Sequence, residues 1–244
     1  MTLLNNFLAS LPFMNAERAD EVISSFWPML EAAIDKTIPL AVISFFAGVA
    51  IALVVALIRI VEKPNLGMRL LQILCRIYVS TIRGTPMLVQ IFIIFYGLPE
   101  VGIKLDPFPT AIIAFSINIG AYASETIRAA ILSIPKGQWE SCAALGLNRI
   151  QTLKILIPYA LKRALPSYSN EIILVFKGTA LASTITIMDI MGYARQLYGT
   201  EYDALTIYGI AGGIYLIITG IATLLLRKFE KKVLAFERFE VSKA

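Results

Sequence analysis

Glu125 stands sixteen residues into an apolar stretch, 109–132, which is about 24 Å along a helix axis. An ionisable group in hydrocarbon costs about 2.5–3.5 kcal/mol on insertion scales, so it must face a protein interior or a wet cavity. Asn118 and Tyr122 precede it at positions i and i+4, with Glu125 itself at i+7, and the three make one polar stripe on an otherwise apolar helix. Two chemistries suit the carboxylate. It can bind the ammonium of a solute or hold a gate, or it can pair internally with Arg128 one turn on.

Two other places look able to bind an uncharged polar group. Arg83-Gly-Thr-Pro86 and Lys177-Gly-Thr179 interrupt apolar segments, and broken helices within a membrane expose backbone groups that tolerate burial only beside protein or a water-filled cavity. They leave Thr85, Gln90 and Thr179 as hydrogen-bonding candidates. Arg83 is expected to snorkel to the cytoplasmic interface rather than meet a carboxylate. Lys177 is expected to pair with Glu171 or a helix terminus.

Several chemistries are excluded by what the chain lacks. There is no histidine, which removes histidine triads, histidine metal sites and histidine proton relays. No Gly-rich loop ending in Gly-Lys-Ser/Thr occurs, so the chain carries no phosphate loop of its own for ATP. Cys75 and Cys142 have no metal-ligand spacing and read as two free thiols on the cytoplasmic side. No catalytic residue and no metal ligand is assigned, and the chain does not read as an enzyme.

The elements that must position these residues are membrane helices. Of the 244 residues 57% are hydrophobic, and the mean hydropathy is +0.73, well above soluble domains. The apolar residues fall in blocks long enough for helical spans, apolar on every face rather than alternating as in a barrel. The segments 38–60, 109–132 and 206–226 read as full spans. The less regular 87–98 and 172–190 are counted as crossings because of charge. Residues 59–83 hold five Lys or Arg against Glu62, and 133–166 five against Glu140. The tail from Arg227 holds six against three acids. By contrast, 1–37, 100–106 and 189–203 are acidic. Basic loops stay inside, so five crossings place the N-terminus outside and the C-terminus in the cytoplasm. The net charge of +5 is then a topology signal, not a nucleic-acid one. Residues 1–10 lack a basic leader pattern and read as no removable signal. Residues 16–37 read as an amphipathic helix lying at the interface, which divides the chain into 1–37, the membrane domain 38–226 and a cytoplasmic tail 227–244. Tyr208, Gly209, Gly212, Gly213 and Tyr215 suggest close helix packing or a dimer seam.

Between the third and fourth spans the chain reads as helix, turn, helix. Gly146 suits the left-handed residue that closes the first helix, and Asn148 with Gln151 makes a capping box for the second, which Pro158 bends or ends. The first helix is small at Ser141, Cys142, Ala143 and Ala144, so another protein's groove can approach it closely. A loop packing only on its own bundle would also fit this pattern.

Glu140-Ser-Cys-x-x-x-Gly146 followed by Ile157-Pro158 resembles the "EAA" loop of membrane subunits of binding-protein-dependent ATP-binding-cassette importers, with Ser141-Cys142 where that family usually has two alanines. Arg83-Gly-Thr-Pro-Met-Leu-Val-Gln90, Tyr96-Gly-Leu-Pro99, Ala121-Tyr-Ala-Ser-Glu-Thr-Ile-Arg128, Ile134-Pro-Lys-Gly-Gln-Trp-Glu140 and Lys177-Gly-Thr-Ala-Leu-Ala-Ser183 resemble signatures of its polar amino-acid branch, most like cystine-type permeases. The collinear set covers residues 38–226. It implies an all-α membrane protein with the five-transmembrane-helix core of the type I ABC importer permease fold. It also implies a second permease subunit, two ATPase subunits that carry ATP and Mg, and an extracytoplasmic amino-acid-binding protein. The ATPase-docking residues would be Glu140, Ser141, Cys142, Ala143, Gly146 and Pro158. The rival reading is a self-sufficient carrier or channel for a small polar solute, which would want several buried ionisable groups.

Overall fold

The computed structural model describes residues 16–62, 64–201 and 203–241, with side chains from Val22 to Leu234. The first ten residues, and the expectation placed on them, lie outside this range. Helix α1 (Ala16–Ala32) passes through a π-helical turn (Ala33–Thr37) into α2 (Ile38–Arg59). The stretch Val22–Arg59 is one helix of 38 residues, about 57 Å long. The interfacial helix expected over 16–37 is therefore corrected: it continues the first span. The reason is packing, because Met29 and Ala33 are buried against Ile190, Ile207 and Ala211, which gives the amphipathic face a protein partner instead of a lipid surface.

Helix α3 (Leu66–Arg83) starts at an Asn65 cap whose side chain accepts from the Met68 amide. It turns back alongside α2: Gln72 Nε2 donates to the carbonyls of Ile58 and Val61, and Val79 packs near Val55. After a 111° bend the chain continues as α4 (Met87–Phe92), a π-helical turn (Ile93–Gly97) and the short α5 (Leu98–Glu100). Residues 66–83, first read as part of a basic loop, are thus helical and lead directly into the break before 87–98. Pro86 causes the break, since it cannot donate into the helix and disfavours helical backbone at Thr85.

Helix α6 (Pro107–Leu132) is the centre of the bundle and packs most extensively on α2. The two run parallel, with Ser44 beside Ser116, Gly48 beside Ile119 and Ile51 beside Gly120. A Cβ on Gly48 would lie 2.6 Å from Ile119 Cβ, so glycine is what lets these helices approach. Polar Asn118, Tyr122, Glu125 and Arg128 lower the mean hydropathy of α6, but 12 of its 26 residues are buried against other helices.

Helix α7 (Lys136–Ala144) is followed by α8 (Arg149–Gly178), a 3-10 turn (Thr179–Ile185), α9 (Ile190–Glu201) and α10 (Ala204–Val241). Pro158 does not end the helix that begins at Arg149. That helix runs through Pro158 and Pro166 for 30 residues. Burial of Leu156, Ala160 and Ala164 offsets the lost hydrogen bonds, about 3 kcal/mol or more for each proline in an unsupported helix. The backbone leaves α-helical geometry at Thr179, where an interruption was expected, and turns 50° before α9 after Thr186 at φ 66°. Helix α10 runs past 226, so that residues 227–241 continue the helix of the last span.

Two helices, Val22–Arg59 and Ala204–Leu234, are long and apolar enough to cross a membrane, and each of two bent pairs passes the same test when its two helices are taken together. With α6 these make the five crossings of the all-α core. The basic connections gather at one end, where Ile60, Glu62, Leu132, Trp139, Leu147 and Arg149 line one groove. At the opposite end Lys36 lies over the Phe108 ring.

Candidate functional site: a polar cavity and a capped helical turn

The break between α3 and α4 frees carbonyls that a single side chain collects. Gln90 is buried, and its Nε2 donates toward Ile82 O (2.8 Å), Thr85 O (3.0 Å) and Thr85 Oγ1 (2.9 Å). Thr85 Oγ1 in turn donates to Thr81 O. Gln90 Oε1 accepts from Asn118 Nδ2 at 2.9 Å, which ties the break to α6. Every polar atom of Gln90 is thereby engaged, as burial in a bundle requires.

A cavity of about 410 Å3 opens beside this network. Thr85, Asn118, Tyr122 and Glu171 are its polar lining, and Met87, Phe115, Leu174 and Leu181 supply apolar walls. It is of the size and mixed character that takes a small ligand. Three of the six sequence-derived pathway residues, Thr85, Asn118 and Tyr122, line it directly, and Gln90 supports it from behind.

The other two lie elsewhere. Glu125 does not reach this space. Its Oε1 accepts from Arg59 Nη1 at 2.5 Å and its Oε2 from Arg128 Nη2 at 2.8 Å, so it bridges α2 to the next turn of α6. Of the two sequence alternatives the geometry contains the internal pair, with Arg59 as a second partner. Thr179 is fully buried, donates to Phe176 O, and lies by Tyr215 on α10. The Tyr215 hydroxyl donates to Asp189, whose Oδ1 also caps α9 through the Gly192 amide.

Glu171 was missed as a cavity residue. Among the described residues it makes no ion pair with Lys177, because six residues of α-helix set the two side chains about 120° apart around the axis. The readable signal was Glu171, Leu174, Val175 and Gly178 at i, i+3, i+4 and i+7, the face that lines the cavity. Arg83 lies within electrostatic reach of Glu171 and stacks over the Tyr122 ring at 5.4 Å. It is exposed and lines a neighbouring cavity with Tyr122 and Glu125.

At the far end, the α7 turn is built as its residues predict. Gly146 has φ 68°, its amide donates to Ala143 O at 2.9 Å, and the Leu147 amide donates to Cys142 O at 3.1 Å. These two bonds form a Schellman motif. Asn148 and Gln151 exchange side-chain to backbone bonds at 2.9 and 3.0 Å, the expected capping box. Glu140, Ser141, Ala143 and Gly146 are exposed, Leu145 is 77% exposed, and Pro158 is exposed on α8. Cys142 turns inward to the core with Leu156 and Ala160. The free surface is therefore Glu140, Ser141, Ala143, Ala144, Leu145 and Gly146, and Cys142 holds the helix down.

Comparison with known proteins places this geometry. The family model described as "Binding-protein-dependent transport system inner membrane component" matches residues 48–234. The arginine ABC transporter permease protein ArtM of Haemophilus influenzae is 71% identical over 177 residues, 69% of this chain and 78% of that protein. The L-cystine transport system permease protein TcyB of Bacillus subtilis is 43% identical over 232 residues, 93% of this chain and 97% of that one. Among solved structures, an amino acid ABC transporter with histidines superposes with a TM-score of 0.79 at 29% identity, over 87% of this chain and 97% of that chain. The match spans the five crossings, the broken second helix and the capped turn, and the chain belongs to the inner-membrane component family of binding-protein-dependent transport systems.

Proposed function

We propose that this chain is the membrane-spanning permease subunit of an ATP-driven importer of a polar amino acid. The observation that carries the reading is the pairing of two features in one rigid bundle: a polar cavity beside a broken helix, and an exposed, doubly capped helical turn. The cavity suits a zwitterion with hydrogen-bonding groups. The turn suits docking by a separate motor, since this chain has no phosphate loop to bind ATP. Two ATPase subunits holding ATP and Mg would engage Glu140 to Gly146, a second permease subunit would pair with this one, more simply as a second copy than as a different chain, and an extracytoplasmic binding protein would deliver the amino acid. Nucleotide binding draws the docking turns together, and rigid-body movement switches access to the cavity. The charge pattern supports placement in a bacterial inner membrane with the N-terminus outside and the C-terminus in the cytoplasm.

Within the polar amino acids, Glu171 favours a side chain that carries a cation, in keeping with the name of the arginine relatives. Cystine is the second reading, favoured by the cystine relative aligned over nearly the whole chain. Glu171→Gln should lower uptake of L-arginine about tenfold, the low end for a charge-assisted bond in an open cavity, and leave L-cystine uptake within twofold. An equal loss of both would remove Glu171 from substrate selection.

The class itself is tested by reconstitution with and without an ATPase subunit. Substrate-stimulated ATP hydrolysis and uptake should require both chains. Uptake by this chain alone in ATP-free liposomes would establish the self-sufficient carrier or channel instead.

A further inference from the structure

A second cavity, about 470 Å3, adjoins the first, and the Tyr122 side chain lines both. Arg59, Arg76, Arg83 and Glu125 supply its charges. A third, about 390 Å3, continues from it, shares Arg59 and Arg76, and adds Arg69 and Glu62. Glu62 also lines the groove that holds Trp139 and Ala143 at the foot of the docking turn. Shared wall residues thus set these cavities in a row from the polar cavity toward the end of the bundle where the basic loops gather.

The stripe that lines this track has a simple origin. Arg69, Arg76 and Arg83 recur every seven residues on α3, and two helical turns bring each within about 20° of the last. The buried flank of α3 holds Gln72, Cys75 and Val79, and the arginines stand beside it, across from Arg59. Four arginines face two acids here, and Glu125 is already shared between Arg59 and Arg128. Among the described residues Arg69, Arg76 and Arg83 make no ion pair. Arg83 is stacked on Tyr122, and the planar donor forks of all three line a concave space, the arrangement that binds a carboxylate bidentately.

We propose that this arginine-lined vestibule is a second, weaker station on the transport route, which takes the α-carboxylate of the amino acid as it leaves the cavity at Asn118 and Glu171. The inference rests on the amino-acid importer reading and extends it. The two cavities are opposite in charge, with Glu171 on one side of Tyr122 and the arginines on the other. A cationic amino acid is held by its side chain in the first cavity and by its carboxylate at Arg83 and Arg76 in the second. The same arginines repel its cationic end, so the second station is short-lived and favours departure.

The test is equilibrium binding of radiolabelled L-arginine, and in parallel L-cystine, to the permease with its ATPase partner in nanodiscs. Two molecules per permease chain are expected, the second bound more weakly. Arg76→Gln and Arg83→Gln should each weaken the second site about tenfold, and Arg76→Gln should leave the first within twofold, whereas Glu171→Gln should weaken only the first site for L-arginine. Arg76 is exposed and makes no hydrogen bond or ion pair among the described residues, so its variant tests the site without disturbing the fold. Arg83→Lys should restore part of the loss, because charge returns without the fork. A single bound molecule, or a second one insensitive to both arginine changes, overturns the proposal and leaves the importer reading intact. Equal filling by inorganic phosphate with no competition from either amino acid also overturns it, as a general anion site. Absence of amino-acid binding at both stations, with hydrolysis still coupled to another solute, overturns the substrate assignment and the vestibule together.

Discussion

Gly146 offers the cleanest separation of folding from docking. Its φ of 68° lies where an L-residue costs about 1–2 kcal/mol. A Cβ built there meets nothing within 4 Å in this chain, so the backbone term is the only cost to the isolated permease. It falls on an exposed turn whose two Schellman bonds can open without disturbing the bundle. Gly146→Asn should cost least, since Asn tolerates this conformation, Gly146→Ala about 1 kcal/mol or a little more, and Gly146→Asp similar. The effect on ATPase binding should be larger, because the added atoms project into the space a docked partner occupies, and Asp adds a charge there. A loss of about 2–3 kcal/mol, or roughly thirty- to more than a hundredfold in affinity, is expected for Gly146→Asp. The assay compares thermal unfolding of the purified permease with titration of the ATPase subunit and coupled uptake. Full-strength ATPase binding and uptake by a folded Gly146→Asp protein would refute the docking assignment. Unfolding of the permease itself would refute the premise that this turn is locally independent.

Glu125→Gln leaves Arg59 and Arg128 half-buried without their shared carboxylate. An expected loss of about 1–3 kcal/mol lies below the range for a fully buried pair, and thermal unfolding in detergent at low and high salt measures it. Gly48→Ala pushes a Cβ against Ile119 Cβ and should destabilise the chain by about 1–3 kcal/mol, whereas Gly212→Ala meets nothing within 4 Å and should not alter the unfolding of the monomer. If Gly212→Ala lowers dimer content at constant monomer stability, its glycine serves a seam between copies. Gln90→Leu strips the Ile82 and Thr85 carbonyls of their donor and should cost about 1–3 kcal/mol, with KM for uptake raised because Asn118 loses its anchor. An unchanged KM would confine Gln90 to the fold.

Local chemistry decided what neighbouring residues could decide alone. The Gly146 turn, the Asn148 capping box, the break at Pro86 and the change of helix type at Thr179 all depend on interactions within a few positions, and each is where its residues place it. Apolar length and charge asymmetry likewise determined the five crossings, because transfer to hydrocarbon sums over each segment independently. Other features needed the packed bundle. Pro158 sits inside a helix because Leu156 and Ala160 find core partners, and residues 16–37 extend the first span because Met29 and Ala33 meet α9 and α10. Glu125 joined Arg59, 66 positions away, and Glu171 faced the cavity instead of Lys177. A buried charge has no preferred partner until the helices are assembled. Its side chain then takes whichever opposite charge or wet space lies within a few ångströms, and only the tertiary structure supplies that choice.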